Sequence, residues 1–203
     1  MNRKVGMGSA LVTLAAVLAF ACSMILGSDF ASYVSSMFIA WGFVPLICSF
    51  AAVGEAKTKA VQYTAIAFSA VYAVFIMMVY FAQITTVRLS ELNQQAAQIL
   101  DYSKFGLFFS YDLLGYGFMA LATFFIAFSI RTVTKADKWL KALLMIHGIF
   151  AVSCVVMPAL GIFKPNMPGG TLTGVVVLEF WCAYFTPVCI LSLLHFKNSE
   201  PQE

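Results

Sequence analysis

Two carboxylic acids stand where acids are costly. Of the nine Asp and Glu residues, Asp29, Glu55, Glu91, Asp101, Asp137, Glu200 and Glu203 fall in short polar stretches or tails, whereas Asp112 and Glu179 each lie about seven residues inside a long apolar run. Inserting an ionised side chain there costs on the order of 2.5 to 3.5 kcal/mol, which marks such a residue as functional unless a partner satisfies it. At the helical rise, both carboxyls reach about 10 Å below the same end of their runs and so share one depth. Tyr80 and Gln83, three apart on one helical face, come to that depth from a third run, and Tyr111 and Tyr116 flank Asp112. Two carboxylates brought together in low dielectric cannot both stay ionised cheaply, so one takes a proton or a cation sits between them. The expected site is therefore an outward-facing polar pocket of Asp112, Glu179, Gln83, Tyr80, Tyr111 and Tyr116 that takes a proton, a cation or a small cationic ligand. The competing reading has each acid hydrogen-bonding a Tyr, a Gln or the backbone at a helix contact, with no ligand.

Other chemistries lack their residues. His147 and His195 show no His-x-x-His or Glu-x-x-His spacing, so no metal, haem or other cofactor is expected; a lone intramembrane His reads as an interhelical hydrogen-bonder. The five cysteines, Cys22, Cys48, Cys154, Cys182 and Cys189, form no Cys-x-x-Cys pair and read as small buried hydrophobes. There is no Gly-x-Ser-x-Gly, and the histidines and acids do not meet at one depth, so a serine hydrolase is unsupported. The chain reads as a protein without catalysis.

The elements that must position the acids follow from composition. The 203 residues are 62% hydrophobic and 10% charged, with a mean hydropathy of +0.90, far from a soluble domain. Runs of about 20 apolar residues are bilayer-spanning helices. Six occur, at about 7–27, 33–53, 61–87, 105–130, 139–163 and 172–196, leaving no room for an appended soluble domain, so residues 1–203 form one transmembrane helical bundle. The polar stretch from Arg88 to Lys104, with Leu89, Leu92, Ala96, Ile99 and Leu100 near helical spacing, predicts a short amphipathic surface helix between the third and fourth spans. Strands are excluded, because long apolar runs do not alternate.

Orientation comes from the cations. Arg3, Lys4, Lys57, Lys59, Arg131, Lys135, Lys138, Lys141 and Lys197 fall on one side, and Arg88, Lys104 and Lys164 on the other. Positive residues stay inside, so both chain ends are expected in the cytoplasm of a cell whose plasma membrane, read as the bacterial inner membrane, holds the protein. The net charge of +3 is thereby topology, and no nucleic-acid partner is expected. Asn2-Arg3-Lys4 before a run containing Ala19-Phe20-Ala21-Cys22 has the outline of a cleavable leader, but the run continues through Leu26 and reads as a retained span.

Small residues and prolines speak to packing. Ala15 and Ala19, with Gly8, Val12 and Cys22, make a stripe on the first span, read first as bundle packing and second as a face for a membrane partner. Gly115, Gly117 and Ala120 thin the fourth span, Pro45, Pro158 and Pro187 predict kinks, and Trp41, Trp139 and Trp181 are candidate interface anchors. The run Asp112-Leu-Leu-Gly-Tyr-Gly-Phe-Met-Ala-Leu-Ala-Thr123, with Lys138-Trp139 and Ile146-His147-Gly148, resembles uncharacterised bacterial multi-pass membrane proteins of the domain-of-unknown-function type, over about the second half of the chain. That resemblance implies a membrane bundle and no activity. Ala15-x-x-x-Ala19 is also loosely similar to the substrate-binding subunits of energy-coupling-factor transporters, six-helix proteins that dock a transporter subunit through such faces. It implies vitamin uptake with a partner. The functional expectation is transport-related binding of a small molecule or cation; the alternative is an accessory or scaffold subunit docking a membrane partner.

Overall fold

The computed structural model describes residues 1–163 and 170–198. The Pro/Gly-rich break at 164–169, with Lys164, and the tail 199–203, with Glu200 and Glu203, lie outside the described residues. Eight α-helices make up the rest: α1 (Asn2–Ile25), α2 (Asp29–Val53), α3 (Lys59–Ala82), α4 (Gln94–Leu100), α5 (Leu107–Ala127), α6 (Lys135–His147), α7 (Ile149–Ala159) and α8 (Gly170–Asn198). No strand occurs among the described residues. Counting α6 and α7 as one broken span, six are long and apolar enough to cross a membrane.

The spans form a ring in chain order. α1 packs along α2 and α8, α3 along α2 and α5, and α5 against α6 and α7, with α6 closing back onto α8. Phe43, Tyr72, Ile76, Met119 and Phe185 fill the middle and are fully buried. α1 can approach α2 closely because Gly42 lacks a side chain: a Cβ there would stand 2.5 Å from the Thr13 hydroxyl. Gly115 and Gly117 thin α5 as expected, the first against Phe75 of α3 and the second against Cys154 of α7.

Two ends of the bundle are defined by contacts. At the terminal end, Arg3 donates from Nε to the Phe196 carbonyl (2.9 Å) and from Nη2 to the Lys197 carbonyl (2.6 Å). A guanidinium on the last carbonyls of α8 satisfies groups a helix end leaves free. The α2–α3 turn meets the end of α5 here through the Glu55 N–H and the Ser129 carbonyl (3.2 Å). At the opposite end lie the α1–α2 turn, the α3–α5 connection and the start of α8.

Several expectations need correction. The surface helix is α4 alone, seven residues, because the third span runs on through a π-helical turn at Gln83–Val87 and Asn93 caps a fresh start by accepting from the Ala96 N–H. The fifth span breaks at Gly148 and not at a proline: the Gly148 and Ala151 N–H groups bond three residues back, and a Cβ at Gly148 would lie 2.8 Å from the Phe124 ring. Ala15, Ala19, Gly8 and Cys22 face outward, while α1 packs inward with Gly6, Ala10, Thr13, Val17 and Phe20. The first reading of that stripe, internal packing, holds only at Val12, which meets Gly42 of α2. Of the five free cysteines, Cys182 and Cys189 are buried, whereas Cys22 and Cys48 are exposed on helix surfaces. Trp41 and Trp139 are exposed as expected of anchors, but Trp181 is interior.

Candidate ligand-binding site

The tyrosine-rich end is assembled from four elements. α3 ends with Tyr80 pointing inward and Gln83 one turn below the connection. Gln83 Nε2 donates to the Leu100 carbonyl (2.8 Å), and its Oε1 accepts from the Tyr102 N–H (3.0 Å). One amide thus clamps the α4 segment onto α3. Asp101 Oδ1 accepts from both the N–H (2.9 Å) and the hydroxyl (2.8 Å) of Ser103, folding the chain sharply after α4. Phe105 then takes a left-handed conformation at φ 52°. Gly106 follows with its Cα so close to the Gln98 carbonyl oxygen that no Cβ could fit. The result drives the Tyr102 ring into the bundle.

There it completes an aromatic cluster. Tyr33 of α2 stacks on Tyr80 with centroids 5.4 Å apart, and Tyr102 lies 6.1 Å from each of them and 5.2 Å from Phe109 of α5. Behind the rings sits Asp112, 2% exposed. The Tyr102 hydroxyl donates to Asp112 Oδ2 over a long 3.4 Å, and the Tyr80 side chain faces the same carboxylate. Asp112 Oδ1 is buried with no hydrogen-bond partner, an arrangement that costs free energy in any interior.

In front of the rings opens a cavity of about 330 Å³. Tyr33, Tyr80 and Tyr102 wall one side, Phe20 and Met24 of α1 and Leu178 of α8 another, and Ser28 and Asp29 of the α1–α2 turn stand at its rim. Its size lies at the low end of small-molecule sites, and its mixture of apolar walls with few polar groups is typical of them.

The residues expected in the pocket distribute as follows. Tyr80 lines the cavity and meets Asp112. Gln83 holds the wall in place and does not itself line it. Tyr111, one residue before Asp112, turns onto Phe75 and Phe108 at 5.5 and 6.2 Å. Tyr116 lies a turn deeper, its ring 5.7 Å from Tyr72 and 5.5 Å from Trp181, and neither tyrosine hydroxyl has a hydrogen-bond partner. Glu179 follows the cavity-lining Leu178 on α8; its Oε1 is buried and unpartnered, and its electrostatic neighbour is Cys182. No interaction joins it to Asp112. Tyr33 and Tyr102, central here, were missed, because one opens the second span and the other lies in a polar connection.

Two further polar groups lie beyond the site. His147 accepts from Trp181 Nε1–H at Nε2 (3.1 Å) and meets the Thr123 hydroxyl at Nδ1 (2.8 Å). It is the satisfied interhelical histidine that its isolation suggested. At the terminal end Asp137 is buried, not in a loop: its Oδ1 lies 2.7 Å from His195 Nδ1. Its Oδ2 accepts from the Thr134 N–H (2.7 Å) and hydroxyl (2.8 Å). Thr134 and Asp137 form a capping box that starts α6, and His195 reaches the same acid from the end of α8. No family model, no curated protein and no solved structure matches the chain.

Proposed function

We propose that this multi-pass membrane protein binds a small molecule or cation in the cavity at its tyrosine-rich end, in a transport-related role. The observation that carries the reading is Asp112: a carboxylate nearly sealed from solvent, one oxygen held by a tyrosine that also walls the cavity, the other unpartnered. An orphaned acid inside a membrane bundle is retained for function or removed by selection for stability. The excess of Lys and Arg supports placing the terminal end in the cytoplasm and the cavity at the outer face of the plasma membrane. Gln83 serves as a supporting residue by holding the Tyr102 wall against α3.

The test is thermal stability of the purified protein in mild detergent from pH 5 to 9 against a panel of inorganic cations and small organic molecules. A ligand at a hundred times its Kd adds about 2.7 kcal/mol of apparent stability. At least one compound is expected to stabilise the wild type and to leave the Asp112→Asn protein unchanged. Identical melting of both proteins with every compound overturns the proposal. A second reading, an accessory subunit, is favoured by one observation, the outward display of Ala15 and Ala19. It expects a defined complex that Ala15→Leu with Ala19→Leu disrupts, and a lone monomer in native membranes speaks against it.

A further inference from the structure

Resting on the binding reading above, we infer that the ligand is an organic cation: a substituted ammonium group held against the cavity wall of Tyr33, Tyr80 and Tyr102, with Asp112 behind that wall as counter-charge. The first support is the wall itself. Three tyrosine rings stand within 5.4 to 6.1 Å of one another around one wall of the cavity, and aromatic faces attract cations through their quadrupole, most strongly where water is excluded. The second is charge. Tyr33 lies within electrostatic reach of Asp29, Asp101 and Asp112, while among the described residues no Lys, Arg or His lines the cavity. Of the cations described at this end, Arg88 is spread over the Phe30 ring at 4.7 Å and Lys104 is exposed on the connection.

The third support is a shortage of donors. The Ser23 and Ser32 hydroxyls donate to the carbonyls of Phe20 and Asp29 in their own helices (2.8 Å each), and the Tyr102 hydroxyl donates to Asp112. The wall therefore offers mainly acceptors and ring faces, with the Ser28 and Tyr33 hydroxyls as its remaining side-chain donors. An anion or a sugar-like ligand needs donors and finds few; a quaternary ammonium needs none, and its diffuse, weakly hydrated charge suits rings better than does a bare metal ion, which seeks an oxygen shell. The same chemistry is carried by a free alkylammonium or by the choline headgroup of a lipid.

The experiment compares choline and tetraethylammonium with 3,3-dimethylbutanol, in which carbon replaces the ammonium nitrogen of choline, by calorimetric titration of the full chain in detergent. The cations are expected to bind saturably and the neutral isostere about tenfold more weakly or worse. Tyr33→Leu is expected to weaken cation binding about tenfold and Tyr33→Phe to preserve it, because the ring face and not the hydroxyl makes the contact. Equal binding of the isostere, or full cation affinity in Tyr33→Leu, overturns the organic-cation assignment while leaving the cavity as a binding site. If the cations do not bind but a neutral or anionic compound stabilises the protein in an Asp112-dependent way, the assignment again falls alone. If nothing binds, the binding reading falls with it. Repeating the cation titration in nanodiscs of equal, zero net charge separates the sources: weaker binding in phosphatidylcholine than in an uncharged glycolipid identifies a competing lipid headgroup, and equal binding identifies a free cation.

Discussion

At the residue scale, the direction of a hydrogen bond fixes a protonation state. Trp181 can only donate, so His147 Nε2 must offer a lone pair, and the ring carries its proton on Nδ1. That proton points to the Thr123 oxygen, whose own hydrogen goes to the Ala120 carbonyl (2.8 Å). The chain of donors therefore runs one way, from α8 through α6 into α5. Replacing His147 by Phe strands the Trp181 N–H inside the bundle, at a cost of about 1 to 3 kcal/mol. Adding Trp181→Phe removes the stranded donor, so the double variant is expected to be more stable than the sum of the single losses implies, as measured by reversible unfolding in mixed micelles. Strict additivity means the two side chains do not cooperate.

At the element scale, the binding wall depends on a connection that no apolar pattern encodes. Gln83 is the hinge pin: Gln83→Leu removes both bonds that hold Leu100 and Tyr102 to α3, so the α4 segment should detach while the spans remain. Trypsin cleavage after Lys104, exposed on this segment, is expected to accelerate several-fold with little change in helix content; an unchanged cleavage rate shows that the clamp lies elsewhere. The spans themselves were legible because a bilayer demands long, uninterrupted apolar helices, and Asp112 was legible because an acid interrupts one. What the pattern could not show depends on partners distant in sequence. Asp137 sits between Lys135 and Lys138 and reads as part of a solvated turn until His195, 58 residues on, arrives beside it. The break at Gly148 depends likewise on the Phe124 ring from the neighbouring helix. Equal depth suggested that Asp112 and Glu179 would meet, yet depth does not specify rotation about the helix axis, and their interactions lie with different neighbours.

At the scale of the whole molecule, the two ends differ in how they are closed. The terminal end is tied by side chains from opposite ends of the sequence, Arg3 on the last carbonyls of α8 and Asp137 against His195, so α1, α6 and α8 are held together there. Among the described residues the tyrosine-rich end carries no comparable clamp between α8 and its neighbours, and it opens into the cavity. An asymmetry of this kind lets one end yield to a ligand while the other stays shut, provided the open end faces the compartment that supplies it. Orientation is therefore the decisive property of the whole chain. In a variant freed of its native cysteines, a cysteine at Ser90 is expected to react with a membrane-impermeant maleimide in intact cells, and one at Lys135 only after permeabilisation; Ser90 is exposed on its connection and Lys135 at the start of α6. The reverse pattern would turn the cavity to the cytoplasm and make any transported cation an export substrate at its point of capture. Reaction of both from one side would break the six-span alternation itself, since α5 (Leu107–Ala127), the one span between the two positions, could not then lie across the bilayer.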